Sequence, residues 1–409
     1  MIVGVPREIS PGERRVALAP AVIPALAKAG LEVVVEAGAG AMAGYPDADY
    51  VAKGAKIVTQ RDEIFRTADI IVQVLCHGAN VKSGKNDLSL LRRDQVLIGF
   101  LRPLGALETI QEIAATGATA FSVELMPRTT RAQSMDALSA MGTIAGYKAV
   151  LIAADALPRI FPMLTTAAGT LMPARLLVIG TGVAGLQAIA TARRLGAVTS
   201  AYDIRPAAKE QVLSLGGRFV ELPVEAQDAE DAGGYARAQG EDFYRRQREL
   251  LGKVVAESDV VITAAVVPGK KSPVLVTREM VQHMAPGSVF VDLAAERGGN
   301  CEVTKTGELV IEHGVSVYGW INLASSVPNH ASQMYARNIS AFLVHLFGEK
   351  SGEKTAGSGE EKTRGDFRNR LDDEIIRSTL VAQGGEVVNS RVREFFGLAA
   401  LAGEGGKSQ

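Results

Sequence analysis

Three glycines in the pattern G-x-G-x-x-G are the residues whose type and spacing most clearly indicate chemistry: Gly180, Gly182 and Gly185. They follow the apolar run Leu176–Ile179 and open a helical stretch, Val183–Leu195. In such a turn the first glycine permits the tight bend, the second lets the backbone approach a diphosphate, and the third lets the helix pack against the strand. Free N–H groups and the helix dipole favour an anion at that point. The pattern predicts a dinucleotide site, with a glycine turn used only for packing as the alternative.

An acidic residue ends the next predicted strand, which runs from Val198 to Tyr202. Asp203 comes about 20 residues after the glycines, where a carboxylate accepts hydrogen bonds from the adenosine ribose. The same charge repels a 2′-phosphate and so favours NAD over NADP. Arg205 is the opposing feature, since an arginine near this position can serve NADP. Strand, glycine turn, helix and acid together predict an NAD(H) site.

The glycine turn belongs to a series of alternating strands and helices. Apolar runs with little alternation predict strands that are buried on both faces of a sheet. In this series they lie at Leu176–Ile179, Val198–Asp203, Arg218–Glu221, Val260–Ala264, Val289–Leu293 and Val315–Tyr318. An earlier series has strands at Ile2–Val5, Glu32–Glu36, Asp69–Leu75 and Gln95–Leu101, and a helix at Pro20–Gly30. Both series call for parallel sheets with crossover helices.

Two long helical stretches, Ser134–Ala156 and Ala331–Phe347, flank the second series. They predict an α/β fold of two Rossmann-like domains with parallel sheets, joined by the long helices and with a cleft between the lobes. The first domain is expected to be discontinuous, 1–133 plus 331–400. The range 134–330 is expected to form the NAD(H)-binding domain.

Composition excludes several classes of function. The 409 residues carry a formal net charge of −1, so no overall field attracts nucleic acid or anionic lipid. Cys76 and Cys301 form no C-x-x-C pair and the histidines lack metal-ligand spacing, so we expect no metal and a reducing cytoplasm. The longest apolar stretch, at about Ala149–Leu164, falls short of the ~20 residues that cross a bilayer. The charged, glycine-rich stretch 348–366 is predicted to be a flexible surface insertion.

Several motifs resemble those of the NAD(H)-binding component of proton-translocating nicotinamide nucleotide transhydrogenases, a family related to alanine dehydrogenase. The specific combination is PRTTRAQSMD within Glu124–Tyr147, GTGVAGLQAIATARRLGA at the glycine turn, and DAGGYA further on. The resemblance extends from Met1 to about Phe347, with a weaker echo in Leu371–Asn389. At Thr143 and Ile144 the chain departs from the family pattern, which carries an asparagine there.

The resemblance implies a nicotinamide pocket formed by the PRTTRAQSMD loop and the start of the following helix. The family's arginine, glutamine, aspartate and serine match Arg128, Gln133, Asp136 and Ser139. In the family a mobile loop closes over the nucleotide with a tyrosine, here Tyr235, beside Gly234 as part of a hinge. Further matches to nucleotide-contacting positions are Val183, Ile204, Arg205, Gln247 and Val266.

Hydride transfer between two nicotinamides moves no substrate proton, so it requires positioning and no general acid or base. An amide such as Gln133 can hold one ring without reacting, and Arg128 and Asp136 could pair and shape the loop. The resemblance also implies NADP(H) on a partner subunit, a membrane-spanning proton-channel subunit and a homodimer. It places the chain in the cytoplasm, peripheral on the cytoplasmic face of the inner membrane through these partners.

An alanine dehydrogenase is the first alternative. That family uses an arginine, a lysine and a histidine in its first domain. The arginine matches Arg15, but Leu75 and Arg102 stand at the other two positions. Losing both groups removes the means to bind a substrate carbonyl and shuttle its proton, and His77 is the ionisable candidate left nearby. A non-catalytic NAD-binding regulatory protein is the second alternative, against which the intact RAQSMD loop argues.

Overall fold

Strands and helices alternate along the chain in the computed structural model, which describes residues 1–221, 240–348 and 367–399. The described residues form two units, one from Met1–Met141 and Val327–Gln409, the other from Gly142–Ser326. The second unit is therefore an insertion into the first. The α/β class predicted from the alternating pattern is confirmed.

The first unit begins with short strands and helices that lead up to one long helix. Its strands are Ile2–Val5 (β1), Glu32–Glu36 (β2), Lys56–Val58 (β3), Ile70–Leu75 (β4), Val96–Phe100 (β5) and Thr119–Ser122 (β6). The helices are Ile23–Lys28 (α1), Asp47–Ala52 (α2), Arg61–Thr67 (α3), Lys85–Leu88 (α4), Leu107–Ala115 (α5) and Ala137–Ala156 (α6).

The inserted unit begins with an isolated hairpin and continues with the second strand–helix series. Its strands are Leu164–Thr166 (β7), Gly169–Leu171 (β8), Arg175–Ile179 (β9), Val198–Tyr202 (β10), Arg218–Phe219 (β11), Val260–Thr263 (β12), Val289–Asp292 (β13), Leu309–Glu312 (β14) and Val315–Tyr318 (β15). Its helices are Val183–Arg194 (α7), Ala208–Ser214 (α8), Glu241–Ala256 (α9) and Arg278–Gln282 (α10). The chain then returns to the first unit through Pro328–Phe347 (α11), Glu374–Thr379 (α12), Leu380–Gln383 (β16), Glu386–Val387 (β17) and Ser390–Phe395 (α13).

The two large sheets are mixed, which corrects the prediction of purely parallel sheets. The first unit has the order β17-β16-β6-β5-β4-β1-β2-β3 and the second β11-β10-β9-β12-β13-β15-β14. The central strands run parallel, but β16 pairs antiparallel with β6 and β17, and β14 pairs antiparallel with β15. Turns of two left-handed residues, His313–Gly314 and Gly384–Gly385, join these hairpins. Such turns match the twist of antiparallel neighbours.

Strand β9 shows why the central strands are apolar along their whole length. Leu176 and Val178 belong to a buried cluster on one face of the sheet, which also contains residues of α7. Leu177 and Ile179 belong to the cluster on the other face, with residues of α9 and α10. Because successive side chains of a strand alternate between faces, two helical layers bury every position. The glycine turn therefore starts from a rigid, central strand.

One helix among the described residues, α6, is long and apolar enough to cross a membrane by length and composition. The apolar stretch was predicted at about Ala149–Leu164 and too short, which is wrong, because the helix runs over Ala137–Ala156. Ala149, Val150 and Ala153 are fully buried in the core of the second unit. Packing in that core accounts for the apolar character of this stretch of α6.

Candidate functional site

The glycine turn follows β9 directly and leads into α7. Gly180 has a left-handed φ of 92°, and a Cβ there would lie 2.7 Å from the backbone nitrogen of Ala265. A Cβ at Gly185 would lie 2.0 Å from the carbonyl oxygen of Gly180. Gly182 is the N-cap of α7, and no atom lies within 4 Å of where its Cβ would be. The turn is therefore closed by the protein at two glycines and open at the third, above the first turn of α7.

Asp203 ties the glycine turn to the end of β10. Its Oδ2 accepts hydrogen bonds from the backbone N–H of Thr181 at 2.7 Å and from the hydroxyl of Thr181 at 3.0 Å. Arg205 donates from Nε to Oδ1 and from Nη2 to Oδ2, each at 3.0 Å. Burial opposes the charged form of Asp203, but the hydrogen bonds and charge of Arg205 outweigh it and lower the pKa of the carboxyl. The acid is thus ionised and held in place before any nucleotide arrives.

The other residues matched to nucleotide contacts in this unit differ in exposure. Val183, in the first turn of α7, is 37% exposed, and Ile204 and Val266 are partly buried. Gln247 in α9 is fully buried, and its Nε2 donates to the hydroxyl of Tyr202 at 2.9 Å. Its Oε1 has no hydrogen-bond partner among the described residues. In this structure Gln247 supports β10 from behind.

The loop matched to the nicotinamide pocket belongs to the first unit. Ala132 and Met135 are buried, and the carbonyl oxygen of Ser134 accepts a hydrogen bond from Asn338 of α11 at 2.8 Å. Between these anchors Arg128 and Gln133 are exposed. The loop is thus fixed at its base and presents a cation and an amide at its surface.

Asp136 and Ser139 form the cap of α6. The Asp136 carboxylate accepts hydrogen bonds from the Ser139 backbone N–H at 2.9 Å and from the Ser139 hydroxyl at 2.5 Å. An acceptor at this place satisfies N–H groups that the first turn of a helix leaves unpaired. The structure thus gives Asp136 a capping role, which the expected pairing with Arg128 did not suggest. Tyr235 and Gly234 lie outside the described residues.

Sequence reasoning missed the contacts that hold the glycine turn in place. Thr181 fills a variable position of the pattern, so only its contact with Asp203 shows its use. Gly146 of α6 lies against α7, and a Cβ there would come within 2.0 Å of the carbonyl oxygen of Ala184. Its helical context gave no sign of this contact, because glycine in a helix is otherwise unfavourable by ~1 kcal/mol.

The residues that an amino-acid dehydrogenase would need are occupied by other side chains. The guanidinium of Arg15 is buried and donates to both carboxylate oxygens of Glu13, at 2.8 and 2.5 Å. The Nε2 of His77 lies 2.6 Å from Glu112, and this histidine is only 3% exposed. Within the described ranges no three or more His, Cys, Asp or Glu side chains are grouped to hold a metal ion.

Comparison with known proteins agrees with this geometry. The model of the alanine dehydrogenase/PNT C-terminal domain matches residues 149–390, and that of the N-terminal domain matches residues 4–145. The chain is 42% identical over 391 residues to an NAD(P) transhydrogenase alpha subunit of Rhodospirillum rubrum, over 95% of this chain and 98% of that protein.

Solved structures give the same two relatives. A transhydrogenase structure from Sinorhizobium meliloti superimposes with a TM-score of 0.78 at 40% identity, over 96% of this chain and 100% of that one. An L-alanine dehydrogenase superimposes with a TM-score of 0.76 at 25% identity, over 97% and 99%. The chain therefore belongs to the alanine dehydrogenase/PNT family and, within it, to the alpha subunits of NAD(P) transhydrogenase.

Proposed function

We propose that the chain binds NAD(H) at the glycine turn and exchanges hydride with NADP(H) on a partner subunit, while a membrane-spanning subunit couples the exchange to proton translocation. The observation that carries this proposal is the open space at Gly182. Steric contacts within the protein explain the glycines at 180 and 185, but no described atom excludes a side chain at 182. A ligand that approaches the backbone at the N-terminus of α7 explains that glycine.

The adenosine half of the nucleotide would lie along the edge of β9, β10 and β12, within the range 134–330 proposed as the NAD(H)-binding domain. The first turn of α7, including Val183, would bind the diphosphate, and Asp203 would accept from the ribose hydroxyls. Arg205 is held on both oxygens of Asp203, which keeps its guanidinium away from a 2′-phosphate and favours NAD(H). Ile204 and Val266 would line the nucleotide, with Gln247 supporting the strand behind it.

The nicotinamide would be held by the loop of the first unit. When bound, it supplies the carbon that donates or accepts hydride. Arg128 and Gln133 are exposed and supply hydrogen-bond donors, and Gln133 also supplies an acceptor for a carboxamide. The roles of Asp136 and Ser139 would be to fix the loop at the start of α6. Tyr235 with Gly234 would close over the bound nucleotide, as the resemblance implies.

The proposed assembly is a homodimer that joins the NADP(H)-binding and membrane-spanning subunits, which would place it at the cytoplasmic face of the inner membrane. Support for the dimer comes from the isolated hairpin β7–β8, whose strand residues are all exposed. Leu164 and Leu171 are paired across it, 47% and 55% exposed. A two-stranded hairpin is marginal in water without a packed face, so a second copy is the partner we propose for it.

Isothermal titration of the purified chain with NADH and with NADPH tests the proposed site. NADH should bind far more tightly, and hydride exchange between nucleotides should start only when the NADP(H)-binding partner is added. Pyruvate and ammonia should cause no oxidation of NADH by the chain alone. Equal affinity for the two nucleotides, or robust turnover with pyruvate and ammonia, would contradict the proposal and favour the dehydrogenase alternative.

A further inference from the structure

The side chain of Asn300 is fully buried and is used entirely on backbone groups. Its Oδ1 accepts from the N–H of Ala265 at 3.0 Å, and its Nδ2 donates to the carbonyl oxygens of Ala265 at 2.8 Å and Pro273 at 2.9 Å. Strand β12 ends at Thr263, so the amide of Asn300 gives Ala265 the two hydrogen bonds that a neighbouring strand would otherwise provide. Both the position and the orientation of Ala265 are therefore fixed by one side chain.

Ala265 in turn lies directly against the glycine turn. A Cβ at Gly180 would be 2.7 Å from the nitrogen of Ala265 and 3.0 Å from its Cα. The N–H of Ala264 donates to the carbonyl oxygen of Ile179, immediately before the turn, at 2.8 Å. Because the backbones are in contact with no side chain between them, movement of Ala265 would be transmitted to Gly180.

Asp292 at the end of β13 keeps Asn300 in place. Its carboxylate is fully buried and accepts hydrogen bonds from five groups. The donors are the N–H groups of Ala294, Asn300 and Cys301 and the hydroxyls of Thr263 and Thr304, at 2.7–3.1 Å. Charge-assisted hydrogen bonds of this kind are strong and geometrically restrictive. Left-handed Gly299, with φ 80° and no room for a Cβ beside Asp292, lets the backbone N–H of Asn300 reach that carboxylate.

We infer that Asn300 is a positioning residue for the nucleotide site: its amide, held by Asp292, sets the backbone of Ala265 against the glycine turn and thereby aligns the turn and Val266 for NAD(H). The inference rests on the proposed NAD(H) site at this turn. Nothing in the amide's contacts requires it to touch the nucleotide. Its effect is on binding through Ala265.

The variant Asn300→Ala tests this inference, with Asn389→Ala as a matched control. Asn389 is a second buried asparagine, in the first unit, whose Nδ2 donates to the carbonyl oxygens of Ser378 at 2.8 Å and Leu380 at 3.0 Å. Both variants lose buried hydrogen bonds and should lower the Tm. At a temperature well below both Tm values, we expect NADH affinity to fall about tenfold or more in Asn300→Ala and to stay unchanged in Asn389→Ala.

Hydride exchange with the partner subunit adds a second measurement. In Asn300→Ala the KM for NADH should rise, while kcat at saturating NADH should change much less. Should this variant not fold, Asn300→Asp has the same size but places a carboxylate against the carbonyl oxygens of Ala265 and Pro273. Its NADH affinity, relative to wild type, should recover as pH is lowered, because a protonated carboxyl can donate to one of them.

Two outcomes are distinguishable. If the wild-type chain does not bind NADH, the proposed function itself is wrong. If the wild type binds NADH and folded Asn300→Ala binds it equally well, or Asn389→Ala loses as much affinity, the inference about Asn300 is overturned and its amide serves stability alone.

Discussion

At the scale of single residues, the three glycines of the turn meet three different physical demands. Gly180 adopts a backbone conformation that side chains disfavour, and Gly185 allows the helix to touch the strand. Gly182 meets neither demand, since its φ of −67° is open to any residue and the space beside it is empty. A substitution at Gly182 can therefore separate nucleotide binding from folding.

We expect Gly182→Ser to keep or slightly raise the Tm and to weaken NADH binding at least about tenfold. Serine is a preferred N-cap, and its hydroxyl can satisfy an N–H of α7, but it fills the space in which a diphosphate would lie. Gly185→Ala is the control, because it should lower the Tm strongly by pushing α7 away from Gly180. Differential scanning fluorimetry and NADH titration check both variants. Undiminished NADH affinity in Gly182→Ser would rule out this turn as the diphosphate site.

Gln133 is the residue whose loss should separate chemistry from binding. The variant Gln133→Asn keeps the amide but withdraws it by one methylene, so the ring would be held less well for hydride transfer. We expect hydride exchange with the partner subunit to slow far more than NADH affinity falls. Gln282→Asn, the same change on an exposed residue of α10, should alter neither quantity. Equal losses of exchange rate and affinity would assign Gln133 to binding only.

At the scale of elements, the packing of α6 on α7 supports the first turn of the nucleotide helix. Gly146 of α6 approaches the backbone of Ala184, next to Val183, so closely that no side chain fits between the two helices. Gly142, one turn earlier, has only ordinary contact distance, with Ala184 nitrogen 3.9 Å from where its Cβ would be. Two glycines in one helix therefore differ in what an added methyl group would do.

Gly142→Ala should stabilise the protein by about 0.5–1 kcal/mol, since alanine is the better helix former. Gly146→Ala gains the same propensity but must separate α6 from α7, so we expect it to lower stability and NADH affinity together. Urea denaturation monitored by circular dichroism gives the first quantity and NADH titration the second. Similar stabilisation by both substitutions would mean that the helices have room to move apart at no cost.

The elements could be predicted from sequence where local pattern decides, and could not where distant residues decide. Apolar runs gave β1, β2 and β15 with their observed bounds, and the G-x-G-x-x-G pattern placed α7. The antiparallel strands were missed, although His313–Gly314 and Gly384–Gly385 carry the glycine of a two-residue hairpin turn. At the site, the roles of Thr181 and Asn300 depend on contacts with residues far along the chain, which spacing alone does not encode.

At the scale of the whole molecule, buried carboxyl groups make stability depend on pH. Glu8 accepts hydrogen bonds from the N–H groups of Val74 and Leu75, at 2.6 and 3.2 Å. Burial, followed by the charge of Glu13, raises the pKa of Glu8 from 4.5 to about 8. The folded protein thus binds a proton that the unfolded chain releases between these two values. This group's contribution to the free energy of unfolding therefore falls as pH rises from about 4.5 to about 8.

Glu8→Gln removes this titration and keeps one acceptor for the backbone. Above pH 8 the variant should be more stable than wild type, by on the order of 2 kcal/mol, and the difference should shrink as pH is lowered toward 4.5. Urea denaturation across this pH range measures it. Glu108→Gln, at an exposed position of α5, controls for the loss of one negative charge. A stability difference independent of pH would contradict the assignment to Glu8.

The exposed hairpin β7–β8 carries the prediction for the dimer. Replacing Leu164 and Leu171 with threonine keeps the strand propensity and removes the apolar pair. We expect this double variant to sediment as a monomer, or to dissociate at much higher protein concentration than wild type. Leu309→Thr with Ile311→Thr, on the exposed edge strand β14, is the control and should leave the assembly unchanged. A stable dimer in the hairpin variant would move the interface elsewhere.

Both cysteines of the chain are buried, and burial raises the pKa of each thiol, that of Cys301 to about 12. Since the thiolate is the nucleophile, neither should react readily with maleimides in the folded state. The native protein is thus already a quiet background for site-specific labelling. A cysteine introduced at Met172, 76% exposed beside the hairpin, would take the dye selectively. Energy transfer between two dyes could then report subunit exchange and partner docking in real time.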